Sequence, residues 1–110
     1  MLEPIRTNTV DVIPQAVVGL TLHEVIGKLS EITSGGDDLD SFEGASFRLD
    51  DAVEFSVRHY RGHPEDTATI YIDQRERDVE TITRLIRKIL NDLHVPETAL
   101  RWERRDDPEL

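Results

Sequence analysis

The chain is 110 residues long and carries 23 acidic against 13 basic side chains, a formal charge of −10 at pH 7. That length suits one domain, residues 1–110, with a continuous core. The charge opposes phosphate backbones, anionic lipid and highly acidic substrates. With no cysteine, disulfides, thiolate nucleophiles, iron–sulfur clusters and cysteine-rich zinc sites are excluded.

The first residues, MLEPIRTNT, carry an acid and a proline where a signal peptide would place a basic region leading into an apolar run. No apolar run reaches the length of a membrane span. The expected location is cytoplasmic, and residues 1–9 are expected to be a flexible terminus. A β-branched stretch then predicts a strand near residues 10–18, with Pro14, which lacks a donor, at an edge or a bulge.

Thr21 and Glu24 have capping-box spacing, in which each side chain satisfies the other's backbone donor. Leu22, Val25, Ile26, Leu29 and Ile32 recur at intervals of three and four, so a helix is expected to run from Thr21 until Gly35 and Gly36 end it. Gly27 falls in its interior, a weak helix position that permits close packing. Residues 37–44 read as an acidic loop.

Alternation then predicts strands over 45–49, 53–60 and 68–72, joined by an Asp-rich turn and by a Gly- and Pro-containing one. Phe47, Leu49, Val53, Phe55, Val57, Ile70 and Ile72 would face inward. The broad stripe of Val79, Ile82, Leu85, Ile86, Ile89, Leu90 and Leu93 predicts a second helix, stopped by Pro96. A last strand over 100–104 would turn Leu100 and Trp102 inward and Arg101 and Glu103 outward, before a flexible tail at 105–110.

The order β-α-β-β-β-α-β predicts an α+β fold of two layers. Two helices would pack on one face of a mostly antiparallel sheet of four or five strands. A ferredoxin-like core with an added strand fits that order.

His59 and His63, four residues apart, precede Glu65 and Asp66. Imidazole suits zinc, and Glu65 could supply a third ligand. His59 or His63 beside Asp66 could instead do acid–base work. However, the H-x-x-x-H spacing acquires its meaning on a helix, whereas here it crosses from a strand into a turn. No phosphate loop, nucleophile elbow or zinc-protease motif is present, so no metal, cofactor or catalytic set is expected.

The outward face of the sheet offers Arg58, Tyr60, Tyr71 and Arg101, residue types that anchor interfaces. Asp37, Asp38 and Asp40 could form an acidic patch that meets a basic partner. These features point to a small acidic protein-binding module, with an inhibitor, antitoxin or immunity-like role over a basic protein. Nucleic-acid and membrane binding are not expected. The alternatives are a structural or homo-oligomeric subunit, and a small metal-dependent or acid–base enzyme using His59 and His63.

Overall fold

The computed structural model describes residues 2–6, 8–27, 29–36, 41–49, 53–76 and 78–103. In chain order they form β1 (Leu2–Ile5), β2 (Val12–Val18), α1 (Leu22–Ile26), β3 (Thr33–Gly36), β4 (Ser41–Leu49), β5 (Val53–Tyr60), β6 (Ala68–Asp73), α2 (Val79–Asp92) and β7 (Leu100–Glu103). The fold is α+β, with both helices packed on an antiparallel sheet. The sheet has seven strands rather than four or five, in the order β1-β4-β5-β6-β2-β7, with β3 also pairing β4. Every described pairing is antiparallel. A ferredoxin-like split β-α-β, with its parallel pair, is therefore not formed: four strands rather than two separate the helices.

Alternation along β4, β5 and β6 sets the two faces of the sheet. Phe47, Leu49, Phe55, Val57, Ile70 and Ile72 are all buried, and Phe47 stacks on Phe55 with ring centroids 5.2 Å apart. They join Leu22, Val25 and Ile26 of α1 and Ile82, Ile86, Ile89 and Leu90 of α2 in one core. Among the described residues the other face of the sheet carries no helix.

The first helix is shorter than its apolar spacing predicts. The capping box forms, with Glu24 N–H donating to Thr21 Oγ1 at 3.1 Å and Thr21 N–H to Glu24 Oε1 at 3.0 Å. Yet the helix stops after Ile26, because Gly27 takes a φ of 54°, a conformation that costs other residues dearly. Gly35 and Gly36 instead lie in β3, paired with Phe42 and Ser41. Leu29 is exposed, while Ile32 packs against the core from outside the helix, just before β3. Two different backbones thus supply apolar side chains that sequence spacing assigns to one helix.

Strand β1 is the other departure. Residues 2–5 are not a free terminus but pair with Ser46–Leu49 on the outer edge of β4, whose first half pairs β3. Reaching β2 then requires crossing β4, β5 and β6, about 19 Å at a strand spacing of about 4.8 Å. The seven steps from Ile5 to Val12 span about 24 Å at most. The connection is therefore nearly taut, and it runs across the helix-free face as a strap. Asn8 Nδ2 donates to the Phe55 carbonyl at 3.3 Å, Ser46 Oγ to Asn8 Oδ1 at 3.1 Å, and Thr9 N–H to Glu54 Oε1 at 2.7 Å. The Thr9 hydroxyl also donates to Glu54.

Two bulges adjust the β2 edge. The β2–β6 register shifts between Pro14 and Ala16, and Pro14 lies where β7 does not reach, since β7 pairs only Ala16–Val18. On β7, Leu100 opposes Val18 and Trp102 opposes Val17, so Arg101 is the extra residue. The shift reverses the expected facing of the last strand: Glu103 is buried and Trp102 is 48% exposed.

Helix α2 starts at Asp78, whose side chain accepts from Thr81 N–H at 3.0 Å and Thr81 Oγ1 at 2.9 Å. It ends in a Schellman arrangement, with Val95 N–H donating to the Leu90 carbonyl at 2.8 Å and His94 N–H to that of Asn91 at 3.1 Å. His94 holds a φ of 60°, a position glycine fills without steric cost. His94→Gly is expected to raise stability by about 0.5–1 kcal/mol, and urea unfolding checks it; a loss of stability would refute the assignment.

Candidate functional site

Arg58 sits at the middle of the helix-free face because Ser56, Arg58 and Tyr60 alternate with the core residues of β5. Its Nε donates to Ser56 Oγ at 3.0 Å and its Nη1 to the Tyr60 hydroxyl at 3.1 Å. The guanidinium lies 4.4 Å from the ring centre of Phe42 and 4.7 Å from that of Tyr71. Such stacking is worth about 0.5–2 kcal/mol per contact and fixes the planar group in place. The Tyr60 ring lies 4.9 Å from Phe42, 6.0 Å from Tyr71 and 5.9 Å from the His63 ring. Gly44 faces Arg58 in the register, and a Cβ there would stand 2.4 Å from the Val57 carbonyl oxygen and 3.1 Å from Arg58 Cγ. Glycine is thus what allows Arg58 to lie so close to β4.

Arg58, Tyr60 and Tyr71 therefore meet, as their alternation predicts, and Phe42 joins them. Arg101 does not: it lies at the β7 bulge against Gly19, where a Cβ would come within 2.2 Å of its Nε. Trp102 extends the same face across the sheet, through the cross-strand row Trp102, Val17, Thr69 and Arg58. Asp37, Asp38 and Asp40 lie outside the described residues, and the Gly36–Ser41 pair brackets them.

The histidines occupy the end of the sheet beyond Tyr60. His59 Nε2 lies 3.1 Å from the Pro64 carbonyl; that oxygen only accepts, so Nε2 carries the proton and serves to hold the turn. The Thr67 hydroxyl donates to the same oxygen at 2.7 Å. An open groove of about 540 Å³ is lined by His59, His63, Glu65, Glu43 and Arg61 among others, and Asp66 is not part of it. Among the described residues there is no group of three or more His, Cys, Asp or Glu that could hold a metal ion. No family model, curated protein or solved structure matches this chain.

Elsewhere on the fold, charge is neutralised locally. Arg87 clamps Glu103 through two bonds at 3.0 Å and reaches Glu97 at 2.8 Å. Hydrogen bonds from the Arg75 side chain hold the buried Asp73 carboxyl below its ordinary value, against burial, which pushes it up. For Glu54, burial also pushes upward. Bonds from the Thr9 side chain and backbone and from Asn8, with the charge of Arg48, outweigh it and leave the carboxyl lowered. No helix among the described residues is long and apolar enough to cross a membrane.

Sequence reasoning missed Phe42 and Trp102. Phe42 falls in the segment read as an acidic loop, although Phe42, Gly44 and Ser46 already alternate with Glu43, Ala45 and Phe47. Trp102 is misassigned because a bulge has no period-two signature.

Proposed function

We propose that this protein is an acidic protein-binding module whose contact surface is the helix-free face of the sheet, from Tyr60 and Phe42 through Arg58 and Tyr71 to Trp102. The observation that carries the reading is Trp102, 48% exposed at the sheet margin in the same row as the Arg58 cluster. Large aromatic and guanidinium groups already held in place lose little entropy on contact and dominate interface energies. The net charge of −10, with exposed Glu43, Glu65 and Asp66 at the Tyr60 end, suits a basic protein partner and speeds its encounter. An inhibitor or immunity-like role over such a partner is the finer form of this proposal.

The β7 edge supports a second reading. It is the last strand of the sheet, and two copies could pair edge to edge around Trp102.

The test couples capture to a substitution. A partner recovered on the native protein is purified and its affinity measured for the wild type and Trp102→Ser. Weakening of at least about tenfold is expected, with association slowing as salt rises. Equal affinity for both proteins would remove the face from the contact. Concentration-dependent dimerisation that Trp102→Ser abolishes would favour self-association instead.

A further inference from the structure

Where β1 ends and the strap begins, the helix-free face holds a cavity of about 230 Å³ lined by Arg6, Asn8, Thr33, Ser46, Ser56 and Arg58, together with Ser34, Phe42, Gly44 and Ala45. In a chain with 23 acidic residues, none of the lining residues is acidic. The half-buried Arg58 has hydroxyl and aromatic partners, but no carboxylate lies within ion-pair distance of it among the described residues. Arg48, Arg75 and Arg87 each find an acid. A guanidinium partly withdrawn from water without a counter-charge is costly. Stacking and hydroxyl bonds orient Arg58 but do not neutralise it, and its Nη2 has no protein partner among the described residues.

We infer that this cavity is a binding site for a small oxyanion of phosphate size, held between Arg6 and Arg58 with Ser46 and Ser56 beside it. The planar guanidinium fork matches two oxygens of such an anion, while the Ser46 and Ser56 hydroxyl protons stay on Asn8 Oδ1 and the Ala45 carbonyl, so these two residues shape the cavity. The volume is below that of drug-sized sites, which excludes a nucleotide as the occupant. Because Arg6 and Asn8 belong to the strap while Arg58 belongs to β5, the bound anion ties the strap to the sheet.

Inorganic phosphate is titrated into isotope-labelled protein at constant ionic strength, with chloride as the control and phosphoserine in a parallel arm. Saturable shifts of the Arg6, Asn8, Ser46 and Ser56 amides and of the Arg58 side chain are expected with phosphate and not with chloride. A tighter response to phosphoserine would mark the anion as one carried on a protein, a tighter response to phosphate as a free ion; both support the site. Arg6 is exposed and has no ion-pair or hydrogen-bond partner among the described residues, so Arg6→Gln keeps the fold and should weaken binding about tenfold. Phosphate should also raise the melting temperature of the wild type more than that of Arg6→Gln. Shifts that grow linearly without saturating, or an Arg6→Gln titration identical to the wild type, would overturn the inference.

Discussion

Arg87→Ala is expected to destabilise the fold by about 3 kcal/mol, more than any other substitution considered. The Glu103 side chain is only 3% exposed, and Arg87 closes two parallel bonds on it at 3.0 Å each. Removing one partner of a buried ion pair costs about 3–5 kcal/mol because the other charge stays buried. Arg87 is itself 36% exposed, so solvent screens part of the interaction and the lower end of that range applies. The bidentate geometry implies that Arg87→Lys recovers little, since an ammonium cannot match both oxygens. Arg87→Ala combined with Glu103→Leu should recover most of the loss, because the buried charge is then gone and only Glu97, 66% exposed, loses its partner. Urea unfolding of the wild type, Arg87→Ala, Glu103→Leu and the double variant gives the coupling energy directly. A single-mutant loss below about 0.5 kcal/mol would show that the clamp contributes nothing beyond an ordinary surface pair. The clamp also holds β7 against α2, so Arg87→Ala should weaken any contact made through the adjacent Trp102.

Parts of this architecture are legible in the sequence for identifiable reasons. The strands β4, β5 and β6 bury one side each, so the period-two pattern of Phe47, Leu49, Phe55, Val57, Ile70 and Ile72 survives intact. The same pattern assigns Arg58, Tyr60 and Tyr71 to a shared face, which is why that cluster could be anticipated. Helix α2 is long and one-sided, and its Asp78 cap lies where acids gather before the stripe. Strand β1 has no such signal: in Leu2–Ile5 only Leu2 packs against the core, and its pairing depends on backbone groups that every sequence offers. Strand β3 is two glycines, a serine and a threonine, recruited because the outer edge of β4 beyond β1 remained open. The end of α1 was hidden by Leu29 and Ile32, which keep helical spacing on a chain that has ceased to be helical. The bulge at Gln15 is announced by Pro14 beside it, whereas the one at Arg101 leaves no compositional mark, yet it decides that Trp102 meets solvent and Glu103 does not. The strap was illegible for a related reason. Its hold on the sheet rests on Asn8 and Thr9, polar residues whose partner, Glu54, alternation places outward and therefore in water.

Glu54 is where the strap is held, and Glu54→Ala is expected to cost about 2–3 kcal/mol at neutral pH. Hydrogen bonds to a charged acceptor contribute about 1.5–3 kcal/mol, and the substitution strips the partner from Thr9 N–H and the Thr9 hydroxyl together. The effect should depend on pH in a defined direction. The folded-state carboxyl is lowered, so around and below the ordinary glutamate value of about 4.3 the unfolded chain binds more protons than the folded one. Stability therefore rises with pH through that window, is fully present above it, and is lost as pH falls through the folded value. The wild type and Glu54→Ala should differ most at neutral pH and converge as pH falls below the folded-state value. Asp73 and Asp78, also lowered, leave the variant with a residual slope of the same sign. Urea midpoints across this range, at fixed salt, measure the gap between the two proteins. A gap constant with pH would mean that Glu54 acts by packing alone and that its charge does not hold the strap. Because the strap carries Arg6 and Asn8 into the proposed anion cavity, a variant that frees it should also lose phosphate binding while the helical core, on the opposite face, stays folded.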